Sequence, residues 1–235
     1  HELMGSKRGV QVELGLSRIK AVNKKVRVWG VSATIGNLKD SLTVLLGPGK
    51  GKRKIVKAKI EKKISITSLL PDEVEKFPWA GHLGIKMLHK VVPIIKQSGS
   101  TLIFTNTRSQ SEIWYQKILE HYPEFAGTIA LHHGSIDRKI RDWVESNLHK
   151  GKLKAVVCTS SLDLGVDFYP VDTVIQIGSP KGVSRFLQRA GRSGHRPDAM
   201  SRIYFVPTHS LELIEGAALK QAIETNYLEE RQPVI

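Results

Sequence analysis

The sequence is short of several things. One cysteine, Cys158, stands among 235 residues, so no disulfide can form within the chain and a reducing, cytoplasmic setting fits. No run of about 18 apolar residues occurs, so no transmembrane helix is expected. The first residues, His1-Glu2-Leu3-Met4-Gly5-Ser6-Lys7-Arg8, hold no apolar stretch of the kind a signal peptide needs. There is no G-x-S-x-G elbow for a serine nucleophile. A G-x-G-x-x-G turn after a first strand is also missing, which ranks a Rossmann-type enzyme last. Acids are scarce: 22 Asp and Glu face 36 Lys and Arg, a net charge of +14. That excess points to a polyanionic partner, nucleic acid first and an anionic membrane surface a distant second.

The basic excess is concentrated. Lys50 to Lys63 holds eight cations against the single acid Glu61, a net +7 that is half of the chain's total. From Val56 to Glu61, apolar Val56, Ala58 and Ile60 alternate with Lys57, Lys59 and Glu61, the period of a half-buried strand. The strip reads either as a basic edge strand kept soluble by its lysines or as a phosphate-contacting surface.

What is present follows a regular pattern. Arg8 to Lys20 reads as a helix with Val12, Leu16 and Ile19 on one stripe. Val26 to Val31 reads as a buried strand. Leu38 to Leu46 reads as a short helix, with Asn37 a candidate N-cap. Gly47-Pro48-Gly49-Lys50-Gly51 has linker composition and marks a domain boundary. Helices are then expected over Leu83–Gln97, Gln110–His121, Ile136–His149, Val183–Ala190 and Leu211–Thr225; Pro93 favours a kink in the first of these. Strands are expected over Thr101–Thr105, Thr128–Leu131, Leu153–Cys158, Thr173–Ile177 and Arg202–Val206. Short apolar strands alternating with helices predict an α/β fold, a mostly parallel sheet covered on both faces.

In such a sheet ligands sit beyond the carboxyl ends of the strands. The loops there are Thr105-Asn106-Thr107-Arg108, His132-His133-Gly134, Thr159-Ser160-Ser161 with Gly165-Val166-Asp167, and Gln188 through Arg196. In the last, glycines stand beside cations: glycine lets a phosphate approach, and a guanidinium offers a rigid fork of donors.

Gln188-x-x-Gly191-Arg192-x-Gly194 resembles motif VI of the superfamily 2 helicases. Thr159 to Asp167 is similar to motif V, Thr101 to Arg108 to motif IV, and Ser32-Ala33-Thr34 to motif III. With Val31 to Asn37, Phe77-Pro78-Trp79-Ala80-Gly81-His82, Thr105 to Gln110, Leu131 to Ser135 and Gln188 to Pro197, the chain resembles the large helicase-related (Lhr) proteins, most of all the bacterial ligase-associated DEXH-box helicases. Blocks in the right order are more specific than any one block. The resemblance implies a RecA-like fold and an ATP-dependent DNA helicase or translocase of the bacterial cytoplasm. It also shows what is missing. No G-x-x-x-x-G-K-[ST] loop occurs, and the acidic pair that manages Mg²⁺ would precede His1. The resemblance therefore implies a fragment: residues 1–46 the tail of a first RecA-like lobe, 47–68 a basic linker with the strand leading into the sheet, 69–208 the second RecA-like lobe, and 209–235 a bridging helix toward a winged-helix domain.

It further implies roles. Arg192 would be the arginine finger for ATP held mainly by the first lobe, with Mg²⁺, and Gln188 would couple nucleotide to strand. The family has a second arginine where this chain has His195; either His195 or the neighbouring Arg196 would take its place. Gly165 and Asp167 would line the nucleotide. Ser32 and Thr34 would couple the two sites. Thr105, Asn106, Thr107, Arg108 and Thr159 would contact the backbone of single-stranded nucleic acid, DNA before RNA, since hydroxyls, amides and N–H groups suit phosphate oxygens. DNA ligase is a further possible partner by the family's habit. His132-His133 lack a third ligand at suitable spacing for zinc. Cys158 and Trp114 read as core residues, while Trp79 reads equally as a stacking platform and a packing anchor.

Overall fold

The computed structural model describes residues 4–32, 34–47, 52–57, 63–72, 84–163, 171–194 and 200–230. The chain divides into two compact units, one of residues 1–59 with 226–235 and one of residues 60–225.

The larger unit is built on a sheet of six strands: β1 (Ile64–Ser68), β2 (Thr101–Phe104), β3 (Ile129–His132), β4 (Ala155–Cys158), β5 (Thr173–Ile177) and β6 (Ser201–Val206). Their order is β1-β6-β5-β2-β4-β3, and every neighbouring pair is parallel. The central strands β2, β4 and β5 are buried at every residue, as a parallel sheet covered on both faces requires. Alternate side chains serve opposite layers. Leu102, Phe104, Val156, Cys158, Val174 and Phe205 pack with α5 (Arg138–His149), α6 (Val183–Ala190) and α7 (Ser210–Glu224). Ile103, Val157, Ile175 and Ile177 pack with α3 (Leu88–Gln97) and α4 (Arg108–His121). Phe186 of α6 meets Phe205 edge to face at 6.5 Å between ring centroids.

Pro93 does not interrupt α3. It is the sixth of the helix's ten residues, so the cost is one intrahelical bond, the one its missing amide would make to the His89 carbonyl. The stripe Met87, Leu88, Val91, Val92 and Ile95 is buried; Leu83 lies outside the described residues, as does Trp79. Trp114 and Cys158 are core residues, and burial pushes the Cys158 thiol well up, so it stays neutral.

The smaller unit holds α1 (Lys7–Val22) and α2 (Leu38–Leu46). Ser6 caps α1, its hydroxyl accepting from the Gly9 amide at 3.1 Å. Asn37 stands at the N-cap of α2 as expected, but its side chain makes no cap bond and donates instead to Asp40 Oδ2 at 3.0 Å. Gly36 is pressed against the returning chain: a Cβ there would lie 2.7 Å from the Leu228 carbonyl oxygen. The segment expected as a bridge, 209–235, is thus divided. α7 packs on the sheet, and residues 226–230 belong to the smaller unit.

One expected strand is corrected. Val26–Val31 forms no strand; Trp29 is 85% and Val31 94% exposed. A strand needs a hydrogen-bonding neighbour, and none pairs with it among the described residues. In the basic strip, residues 52–57 have no regular structure and 58–62 lie outside the described residues. The described edge strand is β1, where Ile64 and Ile66 reach the core. The α1 stripe is also not buried: Val12 and Ile19 are exposed.

Trp114→Ala is expected to destabilise the larger unit by about 3–5 kcal/mol, whereas Trp29→Ala should stay within about 0.5 kcal/mol. Urea unfolding midpoints at unchanged slope check both.

Candidate functional site

α6 carries arginines at 185, 189 and, just past its end, 192. Spacing of three and four puts them along one flank of the helix. All three converge on Asp163, which closes the 3-10 turn Ser160–Leu162 after β4. Arg189 is buried. Its Nε donates to Asp163 Oδ1 at 2.8 Å, its Nη2 to Oδ2 at 3.3 Å and its Nη1 to Gln176 Oε1 at 2.5 Å. Its guanidinium carbon lies 4.8 Å from the centre of the Phe104 ring. Arg185 Nε stands 3.6 Å from Asp163 Oδ2. Arg192 is half-exposed, and it uses the main chain: Nη2 and Nε donate to the Asp163 carbonyl oxygen at 2.7 and 3.2 Å. Burial draws its pKa down from the ordinary guanidinium value, and the Asp163 charge opposes that.

The glycines of this segment meet geometric demands. Gly194 has φ +64°, and a Cβ on it would sit 2.9 Å from the Met200 carbonyl oxygen. Ser193 then ties the segment to β6, its Oγ accepting from the Arg202 amide at 3.0 Å. Gln188 is half-buried on α6.

A second group of residues lines the carboxyl ends of the strands. Thr107 caps α4, its Oγ1 accepting from the Gln110 amide at 3.1 Å. Asn106 Nδ2 donates to the Ser179 carbonyl at 2.7 Å, joining the ends of β2 and β5. Glu212 of α7, buried, accepts from the Ser179 amide and the Thr208 amide, each at 2.6 Å, joining the ends of β5 and β6. His132, buried at the end of β3, has Nδ1 2.8 Å from Ser161 Oγ and Nε2 3.0 Å from Glu145 Oε1. With its proton on Nε2, a neutral ring makes both bonds. Burial holds this imidazole below its ordinary value despite Glu145. The rim is therefore cross-tied, and what it leaves exposed is Thr107, Arg108, Gly134, Ser135 and Ser160, with Thr159 half-exposed. Arg108 donates to the Ser135 hydroxyl.

Thr105 lies below the rim. Expected on the nucleic-acid surface, it is fully buried, and its hydroxyl donates to the carbonyls of Thr107 at 3.1 Å and Cys158 at 3.3 Å. The Cys158 carbonyl also accepts from the Thr105 amide at 2.8 Å, so the hydroxyl adds a second tie between the two strand ends. Ser32 and Thr34 form a local turn, the Thr34 amide donating to Ser32 Oγ at 3.3 Å, with Thr34 buried and Ser32 exposed. Gly165, Asp167, His195 and Arg196 lie outside the described residues. Among the described residues no three His, Cys, Asp or Glu side chains converge as a metal set; Asp163 is already committed to arginines.

Sequence reasoning missed Asp163, Gln176 and Glu212 as organisers. The available signal was an acid set among neutral residues just after a buried strand, with an excess of cations to pair.

Asp163→Ala should cost about 3–5 kcal/mol by leaving the Arg189 charge buried and unpaired, while Asp163→Leu with Arg189→Met should cost clearly less; chemical unfolding of both variants checks this. His132 supplies a pH dependence. Its folded pKa is depressed, so the unfolded chain binds the proton first. The stability it contributes is present above about pH 6.5 and declines as pH falls below that. Unfolding midpoints at pH 7.5 and 5.5 should differ less in His132→Gln.

Comparison with known proteins agrees with this geometry. Residues 84–196 match the helicase conserved C-terminal domain. The ATP-dependent helicase Lhr-Core protein 2 of Thermococcus barophilus is 36% identical over 227 residues, 93% of this chain and 26% of its own length. Lhr-Core of Sulfolobus acidocaldarius is 38% identical over 232 residues, 95% of this chain and 26% of its own. The structure of the Mycobacterium smegmatis helicase Lhr bound to ssDNA and AMP-PNP superposes with a TM-score of 0.89 at 29% identity, over 99% of this chain and 31% of that one. The chain thus spans about a quarter of the length of these curated relatives. It belongs to the Lhr helicases of superfamily 2, and its six-stranded unit is their RecA-like C-terminal lobe.

Proposed function

We propose that this chain is the second-lobe portion of an ATP-dependent DNA translocase in which Arg192 is the arginine finger. The observation that carries the reading is the contrast between two arginines three residues apart. Arg189 is buried and clamped by a carboxylate, whereas Arg192 is half-exposed, with Nη2 and Nε donating to the Asp163 main-chain carbonyl. A half-exposed guanidinium can meet a phosphate brought to the surface, which a buried one cannot. Closure of the first lobe would bring the γ-phosphate to Arg192, which would stabilise the charge that develops on it. Mg²⁺, when bound with the nucleotide, neutralises part of that charge; its carboxylate ligands would come from the first lobe. Gln188, Gly165, Asp167 and Arg196 would complete the nucleotide side. On the smaller unit, Ser32 and Thr34 would report nucleotide state to the rest of the first lobe.

The rim of exposed Thr107 and Arg108 with half-exposed Asn106 and Thr159 would hold the strand. It offers hydroxyl, amide and guanidinium donors and little that reads a base. Thr159 and Asp163 are joined by one short 3-10 turn, so displacement of the strand would reach the Arg192 anchor directly. The relative solved with ssDNA and AMP-PNP supports both halves of this reading. Residues 1–46 as first-lobe tail, 47–68 as linker and 209–235 as the connection toward a winged-helix domain complete the proposed organisation. A cytoplasmic bacterial setting and a link to DNA ligase rest on the family resemblance.

In the two-lobe parent, Arg192→Ala should lower DNA-stimulated kcat by about 10³-fold or more, with DNA affinity nearly unchanged, and residues 1–235 alone should not turn over ATP. Steady-state ATPase assays with and without single-stranded DNA check this. A near-normal kcat in the variant rejects the finger and leaves a basic nucleic-acid-binding module without a part in catalysis, the reading that the +14 charge alone would favour.

A further inference from the structure

On α5, Val144 and Leu148 face the core, while Ile140 and Trp143 stand 53% and 55% exposed. Single exposed apolar residues are common on protein surfaces. Here two large ones lie three residues apart on one helix, so they form a patch. Lys139 lies four residues before Trp143 and Lys150 seven after it, both exposed and on the flank of the indole. The acids nearby are occupied. Asp137 caps the helix, accepting from the Lys139 amide at 2.8 Å. Asp142 stands 3.9 Å from Arg138 Nε, and Glu145 faces His132. Among the described residues neither lysine has an ion pair. The patch is therefore an aromatic plane with a lysine toward each end of the helix, neither in a direct ion pair among the described residues.

Its position extends the rim. α5 starts three residues after Ser135, the partner of Arg108, and Trp143 lies about 7 Å of helix rise beyond Arg138. We propose that Trp143, backed by Ile140 and flanked by Lys139 and Lys150, is a stacking platform for an unpaired base of single-stranded nucleic acid running off the rim. The inference rests on the nucleic-acid reading above and adds a contact outside the helicase motifs. A base needs one ring to stack on and cations for its phosphates. A protein partner needs far more apolar surface than two side chains provide.

The test is binding of the full chain to fluorescein-labelled (dT)20 across a salt series, with poly-glutamate as a second probe. Trp143→Ala should weaken (dT)20 binding by about 5- to 20-fold, and Trp143→Phe should restore it to within about 3-fold. Lys139→Ala and Lys150→Ala should each reduce the salt slope by about 0.7, which Trp143→Ala should leave unchanged. Equal unfolding midpoints for all variants exclude misfolding, as their exposure leads one to expect. If the unsubstituted chain binds (dT)20 and Trp143→Ala binds it equally well, the platform is refuted and the rim stands. If Trp143→Ala loses poly-glutamate binding more than (dT)20 binding, an acidic protein segment is the occupant and the platform is refuted. If the unsubstituted chain does not bind (dT)20 at all, the nucleic-acid reading fails and takes the platform with it.

Discussion

A buried carboxylate cannot stand alone in a protein interior, and Asp163 solves that problem with arginine. Burying either charge by itself would cost several kcal/mol. Buried together, with Arg189 forked onto both carboxylate oxygens and a third bond to Gln176, the pair is satisfied. The consequences spread from there. Arg189 holds α6 against β5 and the Phe104 ring, and the turn after β4 is held against α6. The Asp163 carbonyl is thereby fixed in space, and Arg192 hangs from it. The half-exposed Arg192 thus owes its position to the buried Arg189.

The sheet supplies the second constraint. All its strands point the same way, so their carboxyl ends meet at one rim. Each strand end leaves polar groups that must be paired, and the chain pairs them with Thr105, Asn106, His132, Ser161 and Glu212. A rim cross-tied in this way keeps its remaining donors, such as those of Thr107 and Arg108, at fixed spacing. That suits contact with a regular phosphate backbone better than a mobile loop would. The turn Ser160–Leu162 belongs to both constraints, since it starts at the rim and ends at Asp163.

Much of this was legible from residue order. Strand β5 and helices α2 and α6 have the ends their apolar periodicity predicts, because a doubly covered parallel strand is a continuous apolar run and a helix shows its 3.6 period. Family blocks located the α6 segment and the rim loops. Other features were not legible. Val26–Val31 has the composition of a strand, but composition cannot provide the neighbour a strand bonds to. Thr105 has the chemistry of a phosphate ligand, yet it is buried, with its hydroxyl turned to a carbonyl 53 residues away.

The sequence by itself determined the α/β class, the order of elements, the basic character and the family, because these depend on local periodicity, charge count and motif spacing. The tertiary structure alone decided which polar residues face inward. Asp163 and Arg189 are 26 residues apart, and Glu212 is 33 from Ser179. Whether a threonine or arginine in a motif meets a ligand or a neighbour depends on which strand ends and helix flanks the fold brings together, and no local pattern encodes that juxtaposition.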